Sequence, residues 1–498
     1  MARTLTRREW LQRSGTIVAA AGTALLAGCG TAATQATATE SSAPTAARAA
    51  TTQGSSAPAT SSAAVATSSA APAAASPAQQ APATSGLTLT AWNHTEYGTE
   101  VDKRFYPAAY SMFKQRDGVS IDETVLPEND AYYDKVTAAV ASGSPPELAF
   151  IHPSYLASLA SKRALTPLDD RIGRDAKLNK ADFYPGTYAY YQFPIGAKTY
   201  GVPYYSGPCV TLFNRALCKE GGVQAPDEWE REGKWTWSGA ADFATQMTKS
   251  VAGQQVWGWG GLTNALHWLD ILIWGNGGDL WSSDFTKVYL SDAAAVDALQ
   301  QYADFATKLK VIPQGADAKS LKSGKSGNLI SGRIAAKYSI KGDVPEIADW
   351  SVQSGTDIGM APIPAGVKGR FVRNGPNSYT IPTGTKHPDE AYALIAFMTT
   401  DDFQAVNMQL GGSTPPRRSQ MDTLFAKSMK PWENLDMWKK AMEQDKPLPF
   451  AATHTDIQRA FGPAYNDVIA GKQTMRQAAD SVVPQIQALL QRARESSG

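Results

Sequence analysis

The chain has 498 residues, with 47 Lys and Arg against 46 Asp and Glu, a formal net charge of +1. Arg3, Arg7, Arg8 and Arg13 lie against Glu9 at the extreme N-terminus, so a chain cut before Cys29 carries a net charge of −2. That balance excludes binding to nucleic acid through bulk positive charge, and the length implies more than one domain.

The first segment, Thr6-Arg7-Arg8-Glu9-Trp10-Leu11, pairs two arginines with an aromatic and a leucine, as twin-arginine export signals do. The weakly apolar run from Ser14 to Ala27 is too short to span a bilayer but suits a signal core. It ends in Leu26-Ala27-Gly28-Cys29, which resembles the lipobox of bacterial lipoproteins, so residues 1–28 are expected to be removed and the Cys29 thiol acylated. From Gly30 to Ser85 the chain is nearly all Ala, Ser, Thr and Pro, with Glu40 and Arg48 its charges. Such a segment cannot bury enough apolar area to offset its chain entropy and reads as a disordered tether with a reach of roughly 40 Å. The expected location is outside the cytoplasm, anchored to a membrane by lipid. No later run approaches transmembrane length.

From Leu87 onward the pattern changes. Leu87, Leu89 and Ala91 alternate with Thr88 and Thr90, predicting a strand that ends at Trp92-Asn93-His94. A helix over 100–115, a strand over 119–125, a helix over 130–141, a Ser-Pro-Pro break and an apolar strand over 148–151 follow. This β-α-β-α-β order implies parallel pairing with right-handed crossovers. Ligands of such sheets gather beyond the carboxyl ends of the strands, here Trp92 to Tyr97, Glu128 to Tyr133 and His152 to Tyr155. Further strands and helices fill 210–338, including an amphipathic helix after Asp292 with Val296, Leu299, Ala303 and Ala306 on one face. The last helix opens with the capping-box spacing Thr474 to Gln477 and buries Val482, Val483, Ile486, Leu489 and Leu490, with a kink expected at Pro484. Cys209 and Cys218 read equally as a disulfide or as two buried thiols, and neither arrangement makes a zinc site.

The order of segments resembles the extracellular solute-binding proteins of ABC importers, in the sugar-binding family that includes maltose-binding protein. The resemblance rests on Tyr200-Gly201-Val202-Pro203 through Leu212-Phe213-Asn214-Arg215, Gly221-Gly222-Val223 and Asp227-Glu228-Trp229. It continues through Gly275-Asn276-Gly277-Gly278, the small-residue run Ile330 to Ala336, Asp357 to Pro364, Thr385-Lys386 with Pro388 to Met398, and Pro415-Pro416-Arg417. Asp227-Glu228 stands where proline and threonine are usual, and Ala336 where methionine is common.

The resemblance implies an α/β fold of two lobes, the type II periplasmic-binding-protein fold, joined by a hinge of three crossings near Tyr205, Pro364 and Gly412. The N-terminal lobe would comprise 86–205 with 365–412 and the C-terminal lobe 206–364 with 413–498. Closure over a ligand would report loading to permease subunits of the importer. The implied protein is a monomeric carrier, without cofactor, metal or nucleic acid.

A sugar presents C–H faces and hydroxyl edges, so its site needs flat aromatic rings together with polar side chains that make directional hydrogen bonds. Of the 13 tryptophans, Trp257 and Trp274 read as core, while Trp92, Tyr97, Tyr133, Tyr204, Tyr205, Trp259 and Trp268 are candidates. By similarity to the family's contact positions, Trp92, Asn93, His94 and Glu96 would contribute from the first strand, Asp130 and Tyr133 from the second, and His152 from the third. Tyr204, Tyr205 and Ser206 fall at the hinge. The second lobe would add Asn264, His267 and Trp268, the turn Lys341 to Asp343, Asn377 on the returning strand, and Arg417 near the third crossing.

Three other readings were weighed. A secreted glycoside hydrolase needs two carboxylates about 5 to 10 Å apart, a role open to Glu96 and Asp130, but no signature sets an acid opposite a nucleophile. A metal or haem carrier finds no close-spaced ligand motif among the five histidines, although three of them fall in cleft segments. A different small solute, such as a polyol or glycerol phosphodiester, is the runner-up for a carrier, and a phosphate ligand would call for more cations than Lys341 and Arg417. A neutral mono- or oligosaccharide is the ligand expected, bound without turnover.

Overall fold

A computed structural model describes residues 86–94, 102–127, 130–261, 263, 265–321 and 327–497. The chain divides into units Met1–Ala78 and Gln79–Gly498, and all described residues lie in the second. Cys29, the export signal and the tether, together with Glu96, Tyr97, Glu128 and Asn264, lie outside the described residues.

In chain order the strands are β1 Thr88–His94, β2 Ser120–Leu126, β3 Leu148–Phe150, β4 Gln192–Phe193, β5 Lys198–Thr199, β6 Cys209–Asn214, β7 Lys249–Val251, β8 Gln254–Trp259, β9 Ile334–Ile340, β10 Ile358–Ala361 and β11 Tyr379–Thr380. The first sheet has the order β11-β3-β1-β2. Strand β1 pairs in parallel with β2, Thr88 opposite Ser120 through His94 opposite Leu126, and in parallel with β3. The alternation read from the sequence sets the inward face: Leu89 and Ala91 are fully buried while Thr88 and Thr90 are exposed. The connecting helices run Asp102–Asp117 and Asp130–Ala141. The first packs Phe105, Tyr106, Ala109 and Phe113 onto the sheet, each large apolar side chain contributing about 1.5–3 kcal/mol.

The second sheet has the order β10-β6-β9-β8-β7. Its strand β6 is buried at every residue, with Cys209, Val210, Leu212 and Phe213 apolar and the buried polar groups of Thr211 and Asn214 hydrogen-bonded to Pro362 O and Leu217 N–H. Helix Ala293–Thr307 buries Val296, Leu299, Ala303 and Ala306, the face expected for it. Trp257, Trp259 and Trp274 are core, and Cys209 and Cys218 are both buried free thiols. The last helix, Met475–Ser497, begins with a reciprocal cap: Thr474 N–H donates to Gln477 Oε1 at 2.9 Å, and Gln477 N–H to Thr474 Oγ1 at 3.3 Å. It continues through Pro484 and buries Ile486, Leu489 and Leu490.

Two lobes result, one on each sheet, and three strands of chain meet between them. Tyr205 bridges Asn377, and Ser206 bridges Thr414. The second crossing comes later than the expected Pro364. Ala365 still pairs with Thr236 and accepts from Trp237 N–H, and Val372 bonds Gln444, so the chain leaves that lobe only at 373–377. At the third crossing a Cβ on Gly412 would sit 1.7 Å from Asn407 Oδ1, so only glycine fits this close approach.

Candidate functional site

A cavity of about 570 Å³ opens where the crossings meet the strand ends of both lobes, within the range of roughly 300–1,000 Å³ typical of small-molecule sites. The first lobe contributes His152, Ser154 and Tyr155 after β3. His152 caps helix Pro153–Ser161: its Nδ1 accepts from Ser154 N–H at 3.3 Å and lies 2.6 Å from Ser154 Oγ. Proline at the first helical position fixes this geometry, since its missing N–H has no partner to lose there. The crossings supply Tyr205, Arg373 and Asn377. The second lobe supplies His267 and Trp268 from helix Leu266–Gly275, Lys337 to Ile340 and Asp343 from the end of β9, and His454 from the start of helix His454–Ile469.

Six residues expected at the site line this cavity: His152, Tyr205, His267, Trp268, Asn377 and Asp343. Asp130 and Tyr133 line a smaller cavity of about 220 Å³ that shares Tyr155 and Thr455 with the first. There Tyr133 stacks on Tyr155 at 3.5 Å, Tyr155 Oη donates to Asp130 at 2.8 Å, and Asp130 pairs with Arg459 of the other lobe.

Seven other expected residues, Trp92, Asn93, His94, Tyr204, Ser206, Lys341 and Arg417, do not line this cavity. Trp92 lies under Lys135, whose Nζ is 4.8 Å from the ring centre, and does not line the cavity. Asn93 is buried, donating to Glu123 at 3.1 Å, and His94 packs edge-on against Phe150 at 4.8 Å. Tyr204 lies wholly within the first core, its hydroxyl 2.9 Å from that of Tyr106. Ser206 is consumed by the crossing, its N–H bonding Thr414 O at 2.8 Å. Lys341 points into the second core, ion-paired with Glu433 and 4.8 Å from the Phe425 ring. Arg417 donates to Thr399 Oγ1 at 2.8 Å and covers Phe183. In each case long-range packing claims a side chain that local sequence leaves open.

The residues that sequence reasoning missed are chiefly Arg373, Lys337, Tyr338 and His454. Arg373 sits in Phe371-Val372-Arg373-Asn374-Gly375-Pro376-Asn377, which has no strand or helix period; its only signal was its nearness to Asn377.

Burial and the neighbouring Arg373 guanidinium set the electrostatics. Desolvation first, then Arg373, pushes His152 and His454 down to about 3 and His267 well below its usual value, so all three imidazoles are neutral near pH 7. Their rings form a row, His152 to His267 at 6.0 Å and His267 to His454 at 5.8 Å. Among the described residues no group of three or more His, Cys, Asp or Glu is placed to hold a metal ion. Lys337 and Asp343 pair at 3.1 Å. Arg373 is 1% exposed and lies 3.7 Å from Asp270, whose carboxyl burial raises to about 7.

Several buried polar atoms of lining residues have no hydrogen-bond partner within the protein: Arg373 Nε and Nη1, His267 Nδ1, His454 Nδ1, Asn377 Oδ1 and Asn407 Oδ1. Each such group costs on the order of 1–3 kcal/mol when unpaired. Trp268, Tyr155 and Tyr338 offer ring surface beside them.

A family model for bacterial extracellular solute-binding proteins matches residues 91–405. A Brucella abortus (strain 2308) protein named as a binding protein is 22% identical over 336 residues, 65% of this chain and 75% of its own length. The fold matches an ABC substrate-binding protein of Listeria monocytogenes solved in complex with cycloalternan, with a TM-score of 0.69 at 17% identity over 81% of this chain and 99% of that one. It also matches the sugar-binding protein MalE of Xanthomonas citri, with a TM-score of 0.68 at 19% identity over 82% and 98%. No described helix is long and apolar enough to cross a membrane. With two α/β lobes, a cavity at their crossings and a family match over more than half its length, the chain belongs to the bacterial extracellular solute-binding proteins.

Proposed function

We propose that this chain captures a carbohydrate in the interlobe cavity and delivers it to the permease of an ABC importer, while an acylated Cys29 keeps it at the membrane. The observation that carries the reading is the set of unpartnered buried donors and acceptors beside aromatic faces, in a cavity walled by both lobes. Hydroxyls satisfy both donors and acceptors, and C–H faces suit the rings of Trp268, Tyr155 and Tyr338. The two lobes read from the sequence, 86–205 with 365–412 and 206–364 with 413–498, support this reading, with the middle crossing taken at 373–377 in place of Pro364. His152, Tyr205, His267, Trp268, Arg373 and Asn377 are the contacts assigned to the ligand.

Capture without turnover fits the carboxylates along the cleft. Asp343 is engaged by Lys337 and Ser339, and Asp130 by Arg459 and Tyr155, so neither stands ready as a free acid or nucleophile. A thermal-shift screen of sugars, polyols and peptides tests the reading, because a ligand bound only by the native state raises the melting temperature. A shift with peptides and none with any sugar sinks it. Loss of intact oligosaccharide on incubation would replace capture with hydrolysis. Incorporation of labelled palmitate that survives Cys29→Ser substitution would remove the anchor.

A further inference from the structure

We infer that the cavity selects a sugar bearing a single carboxylate, held by the Arg373 guanidinium; this rests on the carbohydrate reading and goes one step beyond it.

The guanidinium is almost completely buried, yet its Nε and Nη1 make no hydrogen bond. Its nearest carboxylate, Asp270, is 3.7 Å away, beyond hydrogen-bond length, and lies behind it rather than on the cavity wall. The rings of Tyr190 and Trp268 at 5.3 Å and Phe450 at 5.5 Å hold the guanidinium plane without using its N–H groups. An arginine that lines the cavity, is held by rings and has Nη1 without a partner can offer its Nη1–Nη2 edge to the two oxygens of a carboxylate.

The charge tally points the same way. Lys337 and Asp343 cancel each other on the wall. Two buried carboxyls, Asp270 and Asp445, lie in the field of Arg373, burial raises both to about 7, and neither is on the cavity wall. The three neutral imidazoles add no charge and supply neutral donors and acceptors for the rest of the ligand. Among the lining residues Arg373 is the cation whose counter-charge is not also on the wall, which suits a ligand with one negative charge, whereas a phosphate monoester would bring two. The objection that the cleft lacked cations concerned Lys341 and Arg417, both engaged elsewhere. Arg373 meets it from a segment without sequence signal.

The test compares matched pairs on the full-length, detergent-solubilised protein by calorimetric titration: glucose with glucuronate, galactose with galacturonate, lactose with lactobionate, and glycerophosphocholine as a phosphodiester arm. In at least one pair the acid is expected to bind about tenfold or more tighter than its neutral parent. Arg373→Met should abolish that ratio, and Arg373→Lys should keep only part of it. Asp270→Asn should enlarge it, by removing the competing carboxylate. Because the readout is a ratio within each variant, a loss of overall stability does not mask it. Parity within every pair, or preference for the neutral sugar, overturns the carboxylate assignment and leaves the carbohydrate reading standing. Glycerophosphocholine as the sole ligand, or no sugar binding at all, overturns both.

Discussion

Among the described residues two cations are buried, Lys341 and Arg373, and their surroundings differ. Lys341 is paired with Glu433, which also accepts from Trp438 Nε1 at 3.0 Å and from Lys430 N–H at 2.7 Å, with the Phe425 and Trp438 rings alongside. Arg373 has rings around it but a carboxylate only at 3.7 Å, and it faces a cavity. The first is a closed network, which holds the second lobe together. The second is an open one, whose Nε and Nη1 have no partner within the protein. Burial of charge alone therefore does not identify a site; the state of its hydrogen bonds does.

The comparison can be broken by substitution. Lys341→Met should have the largest effect, leaving Glu433 buried without its cation and lowering unfolding free energy by about 3–5 kcal/mol in urea denaturation. A loss under about 1 kcal/mol would mean the network does not support the fold. Arg373→Met should cost less than half as much stability but weaken ligand binding by about 1.5–3 kcal/mol, roughly 10- to 100-fold in Kd by titration calorimetry. An unchanged Kd would remove Arg373 from the site.

Acid tests the same open network. The fold holds His152 and His454 at about 3, and His267 is also depressed, while imidazoles in water titrate near 6.5. The stability these rings contribute is therefore complete above about pH 7 and is lost as pH falls below about 6.5, because the unfolded chain takes up protons that the folded one refuses. Asp270 and Asp445, both raised by burial to about 7, run the other way and offset part of this. Unfolding free energy should fall by about 1.4 kcal/mol per pH unit between 6 and 5 for each net proton taken up. A flat profile would show that these rings are not held below their ordinary value.

Smaller effects follow. Trp268→Leu keeps apolar volume but removes the ring that both lines the cavity and covers Arg373, and should weaken binding by about 0.5–1.5 kcal/mol. Asp130→Asn breaks a half-exposed ion pair across the cleft and should change affinity by about 0.2–1 kcal/mol, with the difference vanishing at high salt.

Local patterns in the sequence carried the fold far. The Leu89 and Ala91 alternation specified β1 and its buried face, and Thr474 with Gln477 marked the start of the last helix. The site was less legible, because its members converge from distant segments. His152, His267 and His454 share no motif, and Arg373 lies in a segment without period. Lys341 looked like an exposed turn residue because Glu433, the partner that hides it, is far along the chain. Asn93 and His94 stand at the carboxyl end of β1, as a ligand contact would, but Glu123, Tyr379 and Phe150 occupy them.

The crossings bear on mechanics. Tyr205 is tied to Asn377 and Ser206 to Thr414, so the crossing segments are paired to one another. Under the proposed function these tied segments would serve as an axle, leaving the lobes essentially one swing. A neighbour touching both lobes would read a single angle, and the chemistry of the bound molecule would reach it only as the value of that angle.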